Sequence, residues 1–313
     1  YIQCHSHDYG GHGTVDLSGA LEKSCNDALM QIAAKEGITL FDKYQVLFGF
    51  GQSTNVDLPG EPSDSSLSGL VFHADNMGSV SLAISSFGQG VTTSMMQVGT
   101  AFCSAINGGY YYEPSVVQRI EDENGNIVRN LDPVLVRRTI SEDVSAQMRQ
   151  FLKNVVSEGT GKKAAVEGYE IGGKTGTAEK LPRGNGKYIL SFIGFAPVDD
   201  PQVVIYVVAD EPELQSGSGE AAHLFADIAE AIFPYLNIYK TDETYDIDEA
   251  TAEDEPATPI YSGDAPANDV AGGADNPYVE QSGEETTTEE TTEETNATTE
   301  TPAQDTTQEA PTG

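Results

Sequence analysis

Gly172-Gly173-Lys174-Thr175-Gly176-Thr177 stands inside a stretch, Tyr169–Ala178, that otherwise reads as a β-strand. Glycine weakens a strand interior, and where it persists another backbone or a ligand usually comes close. The lysine between the glycines puts a cation at the strand face, and threonine hydroxyls flank Gly176. Such a strand can pair with an extended peptide while its ammonium and hydroxyls hold a carboxylate. A lysine on an edge strand beside a bulge is the plainer alternative, so the hexapeptide alone does not fix a chemistry.

The flanking sequence supplies the rest of a sheet. Two more strand-like runs follow, Tyr188–Phe195 and Val203–Ala209, with Asp199-Asp200-Pro201 as the turn between them. Glu220–Phe233 reads as a closing helix and Ser141–Ser157 as an amphipathic one ahead of the strands. Residues 93–107 form a largely buried helix through Met95, Met96, Val98, Ala101, Phe102, Ala105 and Ile106, stopped at Asn107-Gly108-Gly109. A hairpin turning at Glu123-Asn124-Gly125-Asn126 follows it. Helices first, then adjacent strands joined by short turns, then a helix predict an α+β fold, an antiparallel sheet flanked by helices.

Nearer the start, Thr39–Leu47 is a short helix. Before it, Thr14 or Asp16 can cap a helical stretch whose apolar face runs through Val15, Leu17, Leu21, Ala28, Leu29, Ile32 and Ala33 to Gly37. Ser24-Cys25-Asn26 interrupts that stretch. Serine and asparagine compete with the backbone for hydrogen bonds, so two helical segments meeting at the tripeptide are expected.

Charge divides the chain. All 16 bases lie at or before Lys240, with 29 acids, whereas residues 241–313 hold 21 acids and no base. The first part, residues 1–236, reads as a globular domain. Residues 237–313 read as a disordered acidic Thr/Glu-rich tail with too little apolar surface to offset the entropy of ordering. Acid in such excess, with no basic patch, excludes a nucleic-acid partner. No apolar run is long enough to span a bilayer.

Ser24-Cys25-Asn26 and Lys174-Thr175-Gly176 belong together. A Ser-x-Asn element ahead of a Lys-Thr-Gly strand is shared by serine β-lactamases and penicillin-binding proteins. Further segments narrow the likeness: Gly11-His12-Gly13-Thr14, Phe48-Gly49-Phe50-Gly51, Val56-Asp57-Leu58-Pro59-Gly60-Glu61 and Phe87-Gly88-Gln89-Gly90. In this order, over about residues 1–236, the chain resembles the transpeptidase domain of class B penicillin-binding proteins. The resemblance implies the penicillin-binding, serine β-lactamase-like fold. It also selects Ser24-Cys25-Asn26 over a second Ser-x-Asn at Ser53-Thr54-Asn55.

The resemblance implies peptidoglycan cross-linking by serine acyl transfer, a D,D-transpeptidase serving division, elongation or sporulation. It assigns Ser24, Asn26 and Lys174 to catalysis, and Thr175, Gly176 and Thr177 to the substrate carboxylate and oxyanion. The expected partners are peptidoglycan stem peptides, β-lactams and membrane-bound wall-synthesis proteins, and the chemistry calls for no cofactor or metal. The family's nucleophile sits in Ser-x-x-Lys, yet no serine here is followed three residues later by lysine. The expectation is therefore a C-terminal piece of a longer protein. The nucleophile, pedestal and transmembrane anchor would lie elsewhere, and the domain would face the extracytoplasmic side of a bacterial membrane. A non-catalytic scaffold in a wall-synthesis complex is the alternative from another class, and a D,D-carboxypeptidase or β-lactamase the nearer one.

The three cysteines, Cys4, Cys25 and Cys103, make no disulfide framework. In an extracytoplasmic setting Cys4 and Cys25 form a candidate redox pair, because a bond between them would pull on Ser24 and Asn26. Cys4, His5, His7 and His12 match no usual zinc spacing, so no metal site is expected. Cys103 reads as a helix-core thiol.

Overall fold

The computed structural model describes residue 4 and residues 10–182, 184–213 and 219–241. The N-terminal helices are α1 (Leu17–Glu22), α2 (Asn26–Glu36) and α3 (Ile38–Leu47). Asp16 caps α1, its carboxylate accepting from the Gly19 N–H at 2.8 Å, so Asp16 rather than Thr14 starts the helix. The break expected at Ser24-Cys25-Asn26 is present: Ser24 takes φ +48°. Two short helices, α4 (Asp64–Leu67) and α5 (Ser79–Ser85), follow before α6 (Met95–Ile106). Ser94 and Gln97 close a reciprocal cap at the start of α6.

Past α6 the chain forms β1 (Tyr110–Tyr112), β2 (Arg119–Glu121), β3 (Ile127–Asn130) and β4 (Leu135–Arg138). β2 and β3 are the expected hairpin, with Asp122 accepting from the N–H groups of Asn124 and Asn126. The pairing of β1 with β4 around it was not foreseen. These strands of three and four residues are too short to show alternation.

Then come α7 (Glu142–Ser157), β5 (Gly172–Glu179), β6 (Tyr188–Ala196), β7 (Val203–Asp210) and α8 (Gly219–Ile232). The last three strands form an antiparallel sheet in the order β5-β6-β7. β6 is its centre, so the Lys-Thr-Gly strand lies at an edge. That strand was expected from Tyr169, yet it starts at Gly172. Tyr169 is spent on packing instead, its ring meeting Phe233 edge-to-face at 5.0 Å between centroids.

Two apolar layers sandwich the sheet. Phe192, on β6, packs with Phe225 and Ala229 of α8. Phe195, three residues on and therefore on the opposite face, packs with Ile106 of α6 and Leu152 of α7. These rings account for the glycines of β5. A Cβ on Gly172 would stand 2.5 Å from the Phe195 ring, and one on Gly173 2.5 Å from Phe192. The two glycines thus make room for core aromatics rather than for a ligand.

The packed chain also runs further than residue 236. Ile238 belongs to the core beside α8, and the Thr241 N–H donates to the Gly168 carbonyl at 2.8 Å. Residues 237–241 are therefore part of the globular unit. An apolar isoleucine within a polar stretch was too little to mark them in the sequence. The acidic tail beyond them lies outside the described residues.

Candidate active site

α1 ends in a tight turn that delivers Ser24. The N–H groups of Lys23, Ser24 and Cys25 donate to Gly19, Leu21 and Ala20 at 3.1, 3.1 and 2.9 Å. With Ser24 in the left-handed region, α2 restarts at Asn26 in a new direction. The hydroxyl of Ser24 then meets the edge strand. Lys174 Nζ donates to Ser24 Oγ at 2.9 Å and to the Thr175 carbonyl at 3.0 Å. Residues 150 positions apart in sequence are thus joined, as the motif pairing required.

Burial moves the Lys174 ammonium down from 10.5 to about 8. Taking the charge out of water disfavours it, and among the described residues no carboxylate pairs with it to compensate. At neutral pH it is still mainly protonated. Because the ammonium donates to Ser24 Oγ, the proton of Ser24 itself is left to point elsewhere. A hydroxyl that accepts from a cation and donates outward can hand a proton to a leaving group.

The two threonines of the strand part company. Thr175 is buried, and its Oγ1 shares a hydrogen bond with Thr160 Oγ1 at 3.0 Å. Thr177, next along the same face, is exposed. Gly176 sits opposite Ser191 in the ladder, and a Cβ there would collide with the Ser191 hydroxyl. Asn26 opens α2, partly buried, and stands outside the hydrogen-bonded set of Ser24, Lys174, Thr175 and Thr160.

Thr160 and its loop were not read from the sequence. The Thr160 N–H donates to the Glu22 carbonyl at 2.9 Å, which ties the loop after α7 to the turn that carries Ser24. Gly159 makes the approach feasible, since a Cβ there would stand 2.5 Å from that same Glu22 oxygen. Glycines at 159 and 161 bracketing a threonine were the available signal.

Cys25, between Ser24 and Asn26, is buried, and Cys4 lies beside it. The Sγ atoms of Cys4 and Cys25 and a ring nitrogen of His12 all fall within 4.8 Å of one another. Both cysteines are thiols here, as is Cys103. Burial, and then the neighbouring Cys4, push the Cys25 thiol up, while burial raises Cys103 to about 11. Cys103 lies half-buried in α6.

Comparison with known proteins places this geometry. Residues 1–230 match the family model described as the penicillin binding protein transpeptidase domain. Stage V sporulation protein D of Bacillus subtilis is 39% identical over 235 residues, 73% of this chain and 36% of that protein. Penicillin-binding protein PbpB of Mycolicibacterium smegmatis is 32% identical over 248 residues, 74% of this chain and 37% of that protein. The crystal structure of penicillin binding protein 3 from Mycobacterium tuberculosis with ampicillin superimposes with a TM-score of 0.64 at 28% identity. That match covers 72% of this chain and 52% of the other. The apo transpeptidase domain of penicillin-binding protein 3 from Burkholderia pseudomallei matches with a TM-score of 0.64 at 28% identity, over 74% and 68%. The chain spans little more than a third of the length of the two curated relatives.

Proposed function

The chain belongs to the penicillin-binding protein transpeptidase family, and from that membership we propose that it supplies one wall of a peptidoglycan D,D-transpeptidase active site. The observation that carries the reading is the 2.9 Å bond from Lys174 to Ser24. A scaffold has no use for a buried ammonium aimed at a serine, and burying it without a counter-charge costs stability.

The reaction is acyl transfer. A nucleophilic serine supplied by residues outside this chain attacks the penultimate D-Ala carbonyl of a stem peptide ending in D-Ala-D-Ala. The C–N bond breaks and D-Ala leaves as the amine, taking its proton through Ser24 Oγ. An amine of a second stem peptide then attacks the acyl ester, forms the cross-link and releases the serine. Lys174 holds positive potential under the Ser24 relay and toward the substrate carboxylate. Thr177, and Thr175 once released from Thr160, hydrogen-bond that carboxylate. The Thr177 N–H serves the oxyanion, and Asn26 orients the substrate amide. β-Lactams enter by the same geometry and stay as esters.

The same reading puts the site on the outer face of the cell membrane, where peptidoglycan lies, among membrane-bound wall-synthesis partners. Thiol–disulfide exchange with an external disulfide, which leaves as two thiols while Cys4 and Cys25 join, would tug on the Ser24–Asn26 turn and lower activity.

Labelling with a fluorescent penicillin followed by denaturing electrophoresis tests the proposal. The whole protein is expected to take the label, and the 313-residue chain alone is not, since it contains no Ser-x-x-Lys. A labelled band from this chain alone would place the nucleophile within it and refute the division of roles. An unlabelled whole protein would favour the scaffold.

A further inference from the structure

Cys4, His12 and the residue that caps α2 bring two thiols and an imidazole to one point. We propose that Cys4, His12 and Cys25 form a binding site for a thiophilic divalent cation, zinc foremost. The donors Cys4 Sγ, Cys25 Sγ and a ring nitrogen of His12 lie within 4.8 Å of one another. Tetrahedral zinc, with Zn–S of about 2.3 Å and Zn–N of about 2.0 Å, sets donor–donor edges of roughly 3.5–3.8 Å. The Cys4–His12 edge is 3.4 Å, already close to that length. The other two need to contract by about 1 Å at most, which side-chain rotations can supply. Two sulfurs and one nitrogen suit zinc and its soft neighbours and not magnesium or calcium, which take oxygen.

Sequence spacing concealed the set. Cys4 and His12 are eight residues apart, and the third donor arrives from the far side of α1. Cys25 is buried while Cys4 and His12 are half-buried, so the cluster is sheltered yet reachable. A cleft of about 520 Å³ lined by Thr14, Val15, Asp16 and Ala28 reaches Cys25 and gives water room to occupy the fourth position.

On binding, each thiol gives its proton to solvent, and the two thiolates neutralise the dication. His12 coordinates as the neutral ring through Nδ1. No electron moves. The bound ion would join Cys4 and His12 to Cys25, and through it hold Ser24 and Asn26 in place. A Cys4–Cys25 disulfide uses the same two sulfurs, so metal and disulfide exclude each other.

Cobalt(II) titration of the whole protein, reduced and metal-free, is the test. One cobalt per protein is expected, with thiolate-to-metal charge-transfer absorption and the visible bands of a four-coordinate centre, all displaced by zinc. His12→Ala should weaken the metal more than roughly 100-fold, beyond what loss of an outer-shell partner costs. It should leave oxidative Cys4–Cys25 bonding intact, which separates the metal site from the redox pair. Cys25→Ser should abolish the charge-transfer band, but its buried place makes His12→Ala, with its thermal transition checked metal-free, the deciding variant. No charge-transfer band at stoichiometric cobalt, or unchanged affinity in His12→Ala, overturns the proposal.

Discussion

At Lys174 the chemistry and the fold pull in opposite directions. Its pKa falls from 10.5 unfolded to about 8 folded because it is buried. The folded state therefore binds fewer protons between those values, and this group's contribution to stability rises with pH across that window. It is lowest below pH 8, where the charge must stay buried. Acylation should run the other way. If the cation is the working form, the acylation rate with a β-lactam falls on an alkaline limb centred near pH 8. Lys174→Arg keeps the charge and should push that limb upward, at a reduced rate because its planar fork fits differently. Lys174→Ala should slow acylation by about 10²–10³-fold. A flat profile from pH 7 to 9.5 in the unmodified protein would show that the Lys174 proton is not needed. Gly159→Ala should be costly in another way. Its Cβ would meet the Glu22 carbonyl, which is backbone and cannot rotate away. The expected loss is about 1–3 kcal/mol, seen as a lowered thermal midpoint together with slower acylation, since the Thr160 loop braces Ser24. Of these residues, Ser24 and Lys174 were legible because their motif types and order carry information. Thr160 was not, because the glycines on either side of it mark a tight turn without saying which loop that turn meets.

Among the elements, the long and strongly patterned ones were readable. α6, α7, α8, β6 and β7 lie within a residue or two of their expected bounds, since each has either a cap or an unbroken apolar face. α5 and the β1–β4 pair were missed because they are short and owe their existence to tertiary packing. β5 was recognised for its glycines, but for a reason the structure amends: Gly172 and Gly173 accommodate Phe195 and Phe192. Under the proposed function, what would equip β5 for a peptide is its place at the edge of the sheet among the described strands. Amide exchange of the whole protein should therefore slow in β5 when a β-lactam or stem peptide binds, and much less in β7. Equal changes in both strands would mean a general stiffening rather than strand addition.

Over the whole molecule, the charge pattern set the border of the globular part at residue 236, and the packed chain runs on through Ile238 to at least Thr241. A protein truncated after Thr241 should keep the thermal transition of the intact one, because the removed sequence is rich in Thr and acidic residues and has few apolar groups. Truncation after Leu236 removes Ile238 from the core and the Thr241–Gly168 bond. Losing one buried isoleucine costs about 1.5–3 kcal/mol, so that midpoint should drop by several degrees. Coincident midpoints for the two truncations would show that residues 237–241 add nothing.

Ser24 has a history built into its backbone. A left-handed φ of +48° is the province of glycine and asparagine, and any other residue holds it at a cost of about 1–2 kcal/mol. Selection for heat tolerance alone would draw this codon toward glycine or asparagine, and neither could accept from Lys174 while donating a hydroxyl proton. A serine here therefore forgoes thermal margin and keeps a hydroxyl that accepts from Lys174. Comparing descendants raised under heat with those raised under wall stress would show which pressure governs the position.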